Sequence, residues 1–216
     1  MNPRAALARI RLNPHSRAVQ RDLRDANDMH RSLMRLVPDD LGISPRQTAG
    51  LLYRLDETDT TSTLLVQATT LDPTRLPDDY GHTDLKDLTP MFNALKKGIT
   101  VRYRVVVNPV KTERLPLDQK GRRGKRIPLT GPDADHWWTS RATDAGLDLH
   151  TLLPTPIAAV RPPAKSSPPM RHHLVRYDGT ATVTDPDALT HAVLDGIGRA
   201  KSYGAGLISL APATTA

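Results

Sequence analysis

The chain has 216 residues, 38% hydrophobic and 25% charged, with no cysteine, a composition that marks a folded chain and excludes disulfides, thiolate metal sites and cysteine nucleophiles. Thirty Lys and Arg against 23 Asp and Glu leave a formal charge of +7, which points to a polyanionic partner. Nucleic acid is favoured over a membrane, because no segment joins a basic face to a wide apolar one and no apolar run approaches the roughly 20 residues of a membrane span.

The opening MNPRAALARIRLNP lacks the apolar core of a secretory signal, so the expected location is the cytoplasm. Within it, Ala6 to Leu12 alternates as a first strand and stops at Asn13-Pro14. Ser16 can cap a short helix, and Asp25 starts a second one, running to Val37, with Met29, Leu33, Leu36 and Val37 as its apolar stripe. Gly50 to Leu55 and Ser62 to Thr69 read as a hairpin around the turn-rich 56–61. Leu85, Leu88, Met91, Phe92 and Leu95 recur at helical spacing, and Ile99 to Val107 alternates as a strand.

Strand, helix, strand, strand, helix, strand is the split βαβ order of a ferredoxin-like domain, covering about residues 1–110. Beyond it, Lys111 to Arg126 clusters cations and glycines as a loop or long hairpin tip, and Asp133 to Leu149 predicts a helix. Ile157 to Val160 reads as a short strand, and the proline-rich 162–169 as a break. His172 to Tyr177 and Thr180 to Thr184 flank Asp178-Gly179 as a second hairpin. Asp185 caps a helix with Pro186 at its first position, and Gly206 to Leu210 is the last strand. The expected fold is therefore α+β: two tandem ferredoxin-like (βαββαβ, RRM-like) domains over 1–110 and 111–216, without a direct sequence repeat.

Ferredoxin-like sheets often bind RNA by stacking bases on exposed rings, but five Tyr, two Trp and one Phe are too few here for stacking to dominate. Recognition is expected to rest on Arg and Lys contacts to phosphates, which suits a folded RNA helix. No metal site and no cofactor is expected. His172 and His173 are neighbours on a strand and point to opposite faces, and carboxylate pairs such as Asp39-Asp40 lie in turn-like surroundings. No Walker loop or nucleophile elbow is present.

His30 lies in the first turns of the second helix, at the border of its apolar stripe, where an imidazole can be shielded yet reach a groove and move a proton near pH 7. Taken alone, the position reads more simply as a packed or surface histidine. The stretch GIGRAKSYGAGLISLAP at 196–212 alters that balance. Its glycines let backbone N–H groups approach a phosphate closely, and Arg199 and Lys201 add charge at the same place.

These residues resemble the CasE family of CRISPR repeat-processing endoribonucleases, the RNA-cutting subunit of the type I-E Cascade complex. The similarity is carried by RIRLNPHSRAVQRDL and DMHRSLMRLVPDD at the start, VRYRVVVNPVKT and GKRIPL in the middle, and the glycine loop at the end. The resemblance implies metal-independent cleavage of CRISPR precursor RNA at the 3′ base of the repeat stem-loop. The 2′-hydroxyl attacks the adjacent phosphate, leaving a 2′,3′-cyclic phosphate and a 5′-hydroxyl.

On that resemblance His30 matches the catalytic histidine, and Arg35 is a candidate for stabilising the transition-state charge. The basic segment, with Lys111, Lys120, Arg122, Arg123, Lys125 and Arg126, is expected to engage the RNA stem. In the glycine loop, Gly198, Arg199, Lys201, Ser202, Gly204 and Gly206 are expected to hold the RNA backbone. The implied partners are the repeat stem-loop and the other Cascade subunits. Two positions depart from the family pattern: Asn27 stands where a tyrosine often assists, and Arg199 replaces a common proline. Asn27 keeps open an RNA-binding structural subunit that has lost activity. A metabolic enzyme acting on a small anion is a third reading, distinguished by a lack of salt-sensitive RNA affinity.

Overall fold

A computed structural model describes residues 4–114, 124–157 and 172–213. Its first sheet contains β1 (Ala6–Leu12), β2 (Leu52–Glu57), β3 (Ser62–Ala68) and β4 (Gly81–Asp87), ordered β2-β3-β1-β4 with antiparallel pairing between all neighbours. The alternation of β1 buries Ala8, Ile10 and Leu12 and turns Arg9 and Arg11 outward. Between β1 and β2 run α1 (Arg17–Arg24), α2 (Ala26–Met34) and the single turn α3 (Pro45–Thr48). Asp25 caps α2 by accepting from the Asn27 amide, and Met29 and Leu33 pack with Leu36, Val37, Ile10 and Val66 in one core. Replacing Ile10 or Leu33 by alanine should cost about 2–5 kcal/mol.

The second sheet contains β5 (Thr100–Val107), β8 (Leu147–Leu149), β9 (Leu153–Ile157), β10 (Leu174–Val183) and β11 (Ile208–Pro212), and its main path is β11-β5-β10-β8. Helices α5 (Pro132–Asp144) and α6 (Pro186–Asp195) cover it. Trp138 is fully buried there, with its ring centroid 5.7 Å from those of both Tyr103 and Tyr177. Along the main path of each sheet the strands are ordered second, third, first, fourth in chain order, with β9 of the second sheet off that path against β10. The tandem ferredoxin-like arrangement is thus present, although a 3₁₀ turn at Pro73–Arg75 stands where the second helix of the first unit would be.

Several sequence expectations are corrected. The strand at 100–107, read as closing the 1–110 half, pairs with β10 and β11 and opens the second unit. The fourth strand of the first sheet is instead Gly81–Asp87, whose Leu85 was counted in a helical stripe; it covers the open edge of β1, and only α4 (Thr89–Ala94) remains helical. Asp178-Gly179 is not a turn, because β10 runs straight through it. A Cβ at Gly179 would lie 2.1 Å from the Thr151 carbonyl oxygen, so this glycine makes room for a crossing chain. The helix expected at 133–149 ends earlier, at Asp144, with Ala145 as its cap and Gly146 just beyond at φ +74°, and Leu149 lies in β8. The foot of the basic segment is a two-stranded ribbon of β6 (Val110–Thr112) and β7 (Arg126–Pro128). The expected strand at 157–160 and break at 162–169 lie outside the described residues, apart from Ile157 at the end of β9.

The two units dock through polar side chains that reach backbone oxygens. Arg54 of β2 is only 2% exposed and donates from Nη1 to the Arg104 carbonyl and to Ser209 Oγ, both at 3.0 Å. Asp56 holds the same guanidinium at two points, 2.9 and 3.0 Å. Gln67 of β3, equally buried, donates to the Val193 carbonyl at 2.7 Å. A buried cation is tolerable only with such partners. The clasp joins β2 to β5 and β11, and β3 to α6.

Candidate active site at the junction of the two units

Helix α2 turns His30, half-buried, into a cleft of about 320 Å³ shared with Arg46 and Gln47 of α3 and with Ser202 of the glycine loop. The imidazole Nδ1 is buried and has no hydrogen-bond partner among the described residues. Burial, and secondarily the Arg46 charge, hold this histidine below its ordinary pKa of 6.5. His30 is therefore uncharged at neutral pH and able to accept a proton.

Arg46 donates from Nη1 to the Leu51 carbonyl at 3.1 Å, which fixes the guanidinium from behind. Lys201 donates to the Asp195 carbonyl at 2.6 Å and is held below the ordinary lysine range by burial and by the nearby Arg46 charge. Among the described residues, no carboxylate lies within ion-pair distance of either cation. The cleft is a basic enclosure without a built-in counter-ion.

Backbone geometry brings the loop here. Gly196 ends α6 at φ +73°, and the Ile197 N–H donates to the Gly206 carbonyl at 2.9 Å, closing residues 197–206 into a ring. Ala200 sits inside that ring in the left-handed region at φ +63°, the one non-glycine residue to do so among those described. A Cβ at Gly204 would come 3.2 Å from the Tyr53 ring, so glycine lets the loop lie against β2. The short 3₁₀ turn Lys201–Tyr203 then faces α2.

Of the residues singled out from the sequence, His30 and Ser202 line the cleft, and Lys201, next to Ser202 in the turn that faces α2, lies near enough to Arg46 to feel its charge. Arg35 is not among those lining the cleft: it is exposed at the end of α2, five positions after His30 and so about 140° further round the helix. Asn27 is exposed in the first turn. Arg199 is exposed, and Gly198 packs on Trp137, where a Cβ would lie 3.0 Å from the indole. Trp137 in turn borders a second cleft of about 320 Å³ with Lys111 and Arg141, the latter 5.6 Å above its ring. Lys125 and Arg126 are exposed at the foot of the β6–β7 ribbon. Lys120, Arg122 and Arg123 lie outside the described residues.

Sequence reasoning passed over Arg46. It stands in the four-residue helix PRQT, which buries no residue, with only Ser44-Pro45 to signal a helix start. Among the described residues no three of His, Asp and Glu converge as a metal site, and no helix is long and apolar enough to cross a membrane.

The comparisons with known proteins agree with this architecture. Residues 7–212 match the family described as CRISPR associated protein. The CRISPR-associated endoribonuclease Cse3 of Thermus thermophilus is 28% identical over 219 residues, covering 95% of this chain and 99% of that one. The CRISPR system Cascade subunit CasE of Escherichia coli K12 is 33% identical over 125 residues, 55% of this chain and 61% of the relative. The structure of T. thermophilus Cse3 bound to an RNA representing a pre-cleavage complex superposes with a TM-score of 0.78 at 29% identity, over 97% of this chain and all of the other. With both sheets, the junction cleft and the terminal glycine loop inside the matched span, the chain belongs to the family of CRISPR-associated proteins and, within it, to the CasE type.

Proposed function

We propose that this chain is an endoribonuclease that processes CRISPR precursor RNA, cutting at the 3′ base of the repeat stem-loop without a metal ion. The observation that carries the reading is the uncharged His30 in a cleft that also holds Arg46 and Ser202, with Lys201 beside it. His30 takes the proton of the 2′-hydroxyl; the 2′-oxygen then bonds to the neighbouring phosphorus, and the bond from phosphorus to the 5′-oxygen breaks. The departing oxygen takes a proton from water as a 5′-hydroxyl, the imidazolium of His30 returns its proton to solvent, and the other strand end keeps a 2′,3′-cyclic phosphate. General base assistance of this kind is worth roughly 10²- to 10⁴-fold.

The stem has a route to this cleft. Cations run from Lys111, Lys125 and Arg126 on the ribbon, past Trp137 and Arg141, across Arg199 to Lys201. Such a track contacts phosphates and leaves the single-stranded junction beside His30. The RNA-bound Cse3 structure and the Cascade subunit among the relatives support repeat RNA and the other Cascade subunits as partners.

The test is single-turnover cutting of the cognate repeat hairpin in EDTA. The wild-type chain should cut, and His30→Ala should bind equally well without cutting. Cleavage that survives His30→Ala would sink the assignment of His30. A second reading rests on Asn27, whose amide cannot accept the 2′-hydroxyl proton: the chain is then an RNA-binding subunit without activity. Tight binding with no cutting by the wild-type chain would select it.

A further inference from the structure

Every arginine withdrawn from solvent in the described residues has an aspartate partner except one. Among the described residues, Arg54, Arg75, Arg104, Arg176 and Arg46 are the arginines that are buried or partly buried. Arg54 pairs with Asp56 at 2.9 Å, Arg75 with Asp39 at 2.7 Å, and Arg104 and Arg176 both with Asp178, at 2.5 and 2.8 Å. Arg46 has no carboxylate within ion-pair distance among the described residues. Lys201, the one described lysine that is partly buried, likewise has no ion pair: its ammonium is held by the Asp195 backbone carbonyl, and the Asp195 charge reaches it only from beyond ion-pair distance.

Withdrawing a cation from water without a counter-charge is unfavourable, and placing two of them beside one cleft adds their mutual repulsion. The fold answers this cost at the four other arginines with an aspartate. Its omission at Arg46 leaves room for an anion that comes from outside. The Nη1 bond to the Leu51 carbonyl uses one of the five guanidinium N–H donors and fixes the plane of the group. The remaining donors suit two oxygens of one tetrahedral phosphate.

We propose that Arg46 is a catalytic residue that donates to the non-bridging oxygens of the scissile phosphate in the cleft it shares with His30. This rests on the endoribonuclease reading and names the group that receives the charge as phosphorus becomes five-coordinate. Lys201 supports it from the glycine loop. The in-line attack needs no further reactant: one P–O bond forms and one breaks, while the two non-bridging oxygens carry the added charge toward Arg46.

The test uses the full chain and its cognate repeat hairpin in EDTA, under single turnover with protein in excess. Arg46→Gln should slow cutting by about 10²- to 10³-fold, the usual loss of one oxyanion donor, and Arg46→Lys should recover part of it. Binding of the hairpin with a 2′-deoxy sugar at the cut should stay within about threefold, since the stem carries most phosphate contacts. A second substrate carries sulfur in place of a non-bridging oxygen at the cut, each diastereomer separately. One diastereomer should slow the wild-type chain more than it slows Arg46→Gln. The oxygen-to-sulfur ratio is taken on one preparation, so partial unfolding of a variant cancels. Equal ratios in both proteins, or wild-type cutting by Arg46→Gln, overturn the assignment of Arg46 and leave the endoribonuclease standing. A wild-type chain that binds and does not cut overturns both.

Discussion

Tyr53 of the first sheet donates its hydroxyl to the backbone carbonyl of Ser202, in the glycine loop of the second unit, at 3.0 Å. Burial raises its pKa above the ordinary 10, so the group remains a phenol and serves as a donor. It is therefore no proton acceptor in place of a tyrosine at position 27. Its work is to hold Ser202 against α2. Tyr53→Phe keeps the ring packed on Gly204 and removes one hydrogen bond, worth about 1 kcal/mol. Thermal unfolding should shift slightly, and single-turnover cutting should fall by less than about tenfold. A loss beyond about a hundredfold at unchanged stability would show that the hydroxyl takes part in the chemistry.

The acid limb of the cleavage reaction reports His30. Its folded pKa lies below 6.5, from burial first and the Arg46 charge second, and the uncharged form is the reactive one. Cutting should rise with pH through a midpoint below 6.5 and be level between about pH 7 and 8. In Arg46→Gln the slower reaction should have its midpoint moved upward, because a charge that disfavours imidazolium is gone. A wild-type midpoint above 7 would contradict the assignment of His30 as base.

Local pattern revealed much of this fold and little of its pairing. Period two in Ala6–Leu12 and the capped stripe from Asp25 are properties of short stretches, and both elements formed, although the helix read as reaching Val37 ends at Met34 and leaves Leu36 and Val37 to pack from the turn that follows it. Sheet membership is not local: the alternation of Thr100–Val107 looks the same in either sheet, and only its pairing with β10 and β11 assigns it. Leu85 shows the same limit, since an unpaired edge of β1 outweighs a weak helical spacing. Asp178-Gly179 carries the composition of a turn, yet Gly179 is required by the Thr151 backbone passing beside it. In the candidate site, His30 and Lys201 were singled out by their places at the border of the α2 stripe and in the glycine loop, and the resemblance gave His30 its proposed role. Arg46 was not, because its distinction is a missing carboxylate, which no short motif encodes.

The buried clasp at Arg54 should matter to stability and to cutting together. Arg54→Met keeps the stem volume but leaves Asp56 with Arg104 alone, at 3.7 Å, and removes the bonds to the Arg104 carbonyl and Ser209. Breaking one side of a buried pair typically costs about 3–5 kcal/mol, so urea unfolding should show a loss near the lower end, given that Asp56 is partly exposed. Asp56→Asn in the Arg54→Met background should recover some of it. Unchanged unfolding in Arg54→Met would mean that the two units are held by their apolar contacts.

Cations on the proposed track and cations in the cleft should fail in different ways. Lys111 and Arg199 are exposed and tens of positions apart in sequence, one on the ribbon and one on the glycine loop. Each that meets a phosphate should contribute about one unit to the slope of log affinity against log salt. Lys111→Ala and Arg199→Ala should therefore weaken binding of the repeat hairpin and flatten that slope by about one unit each, with the cutting rate at saturating protein nearly unchanged. Arg35, turned away from His30 on α2, should behave like them: Arg35→Ala lowers affinity at most and leaves the saturated rate within about threefold. Filter binding at several salt concentrations, paired with single-turnover cutting of the same preparations, separates the two effects. A saturated rate that collapses in Arg35→Ala would place that side chain at the reacting phosphate, and α2 would then have to rotate when RNA binds.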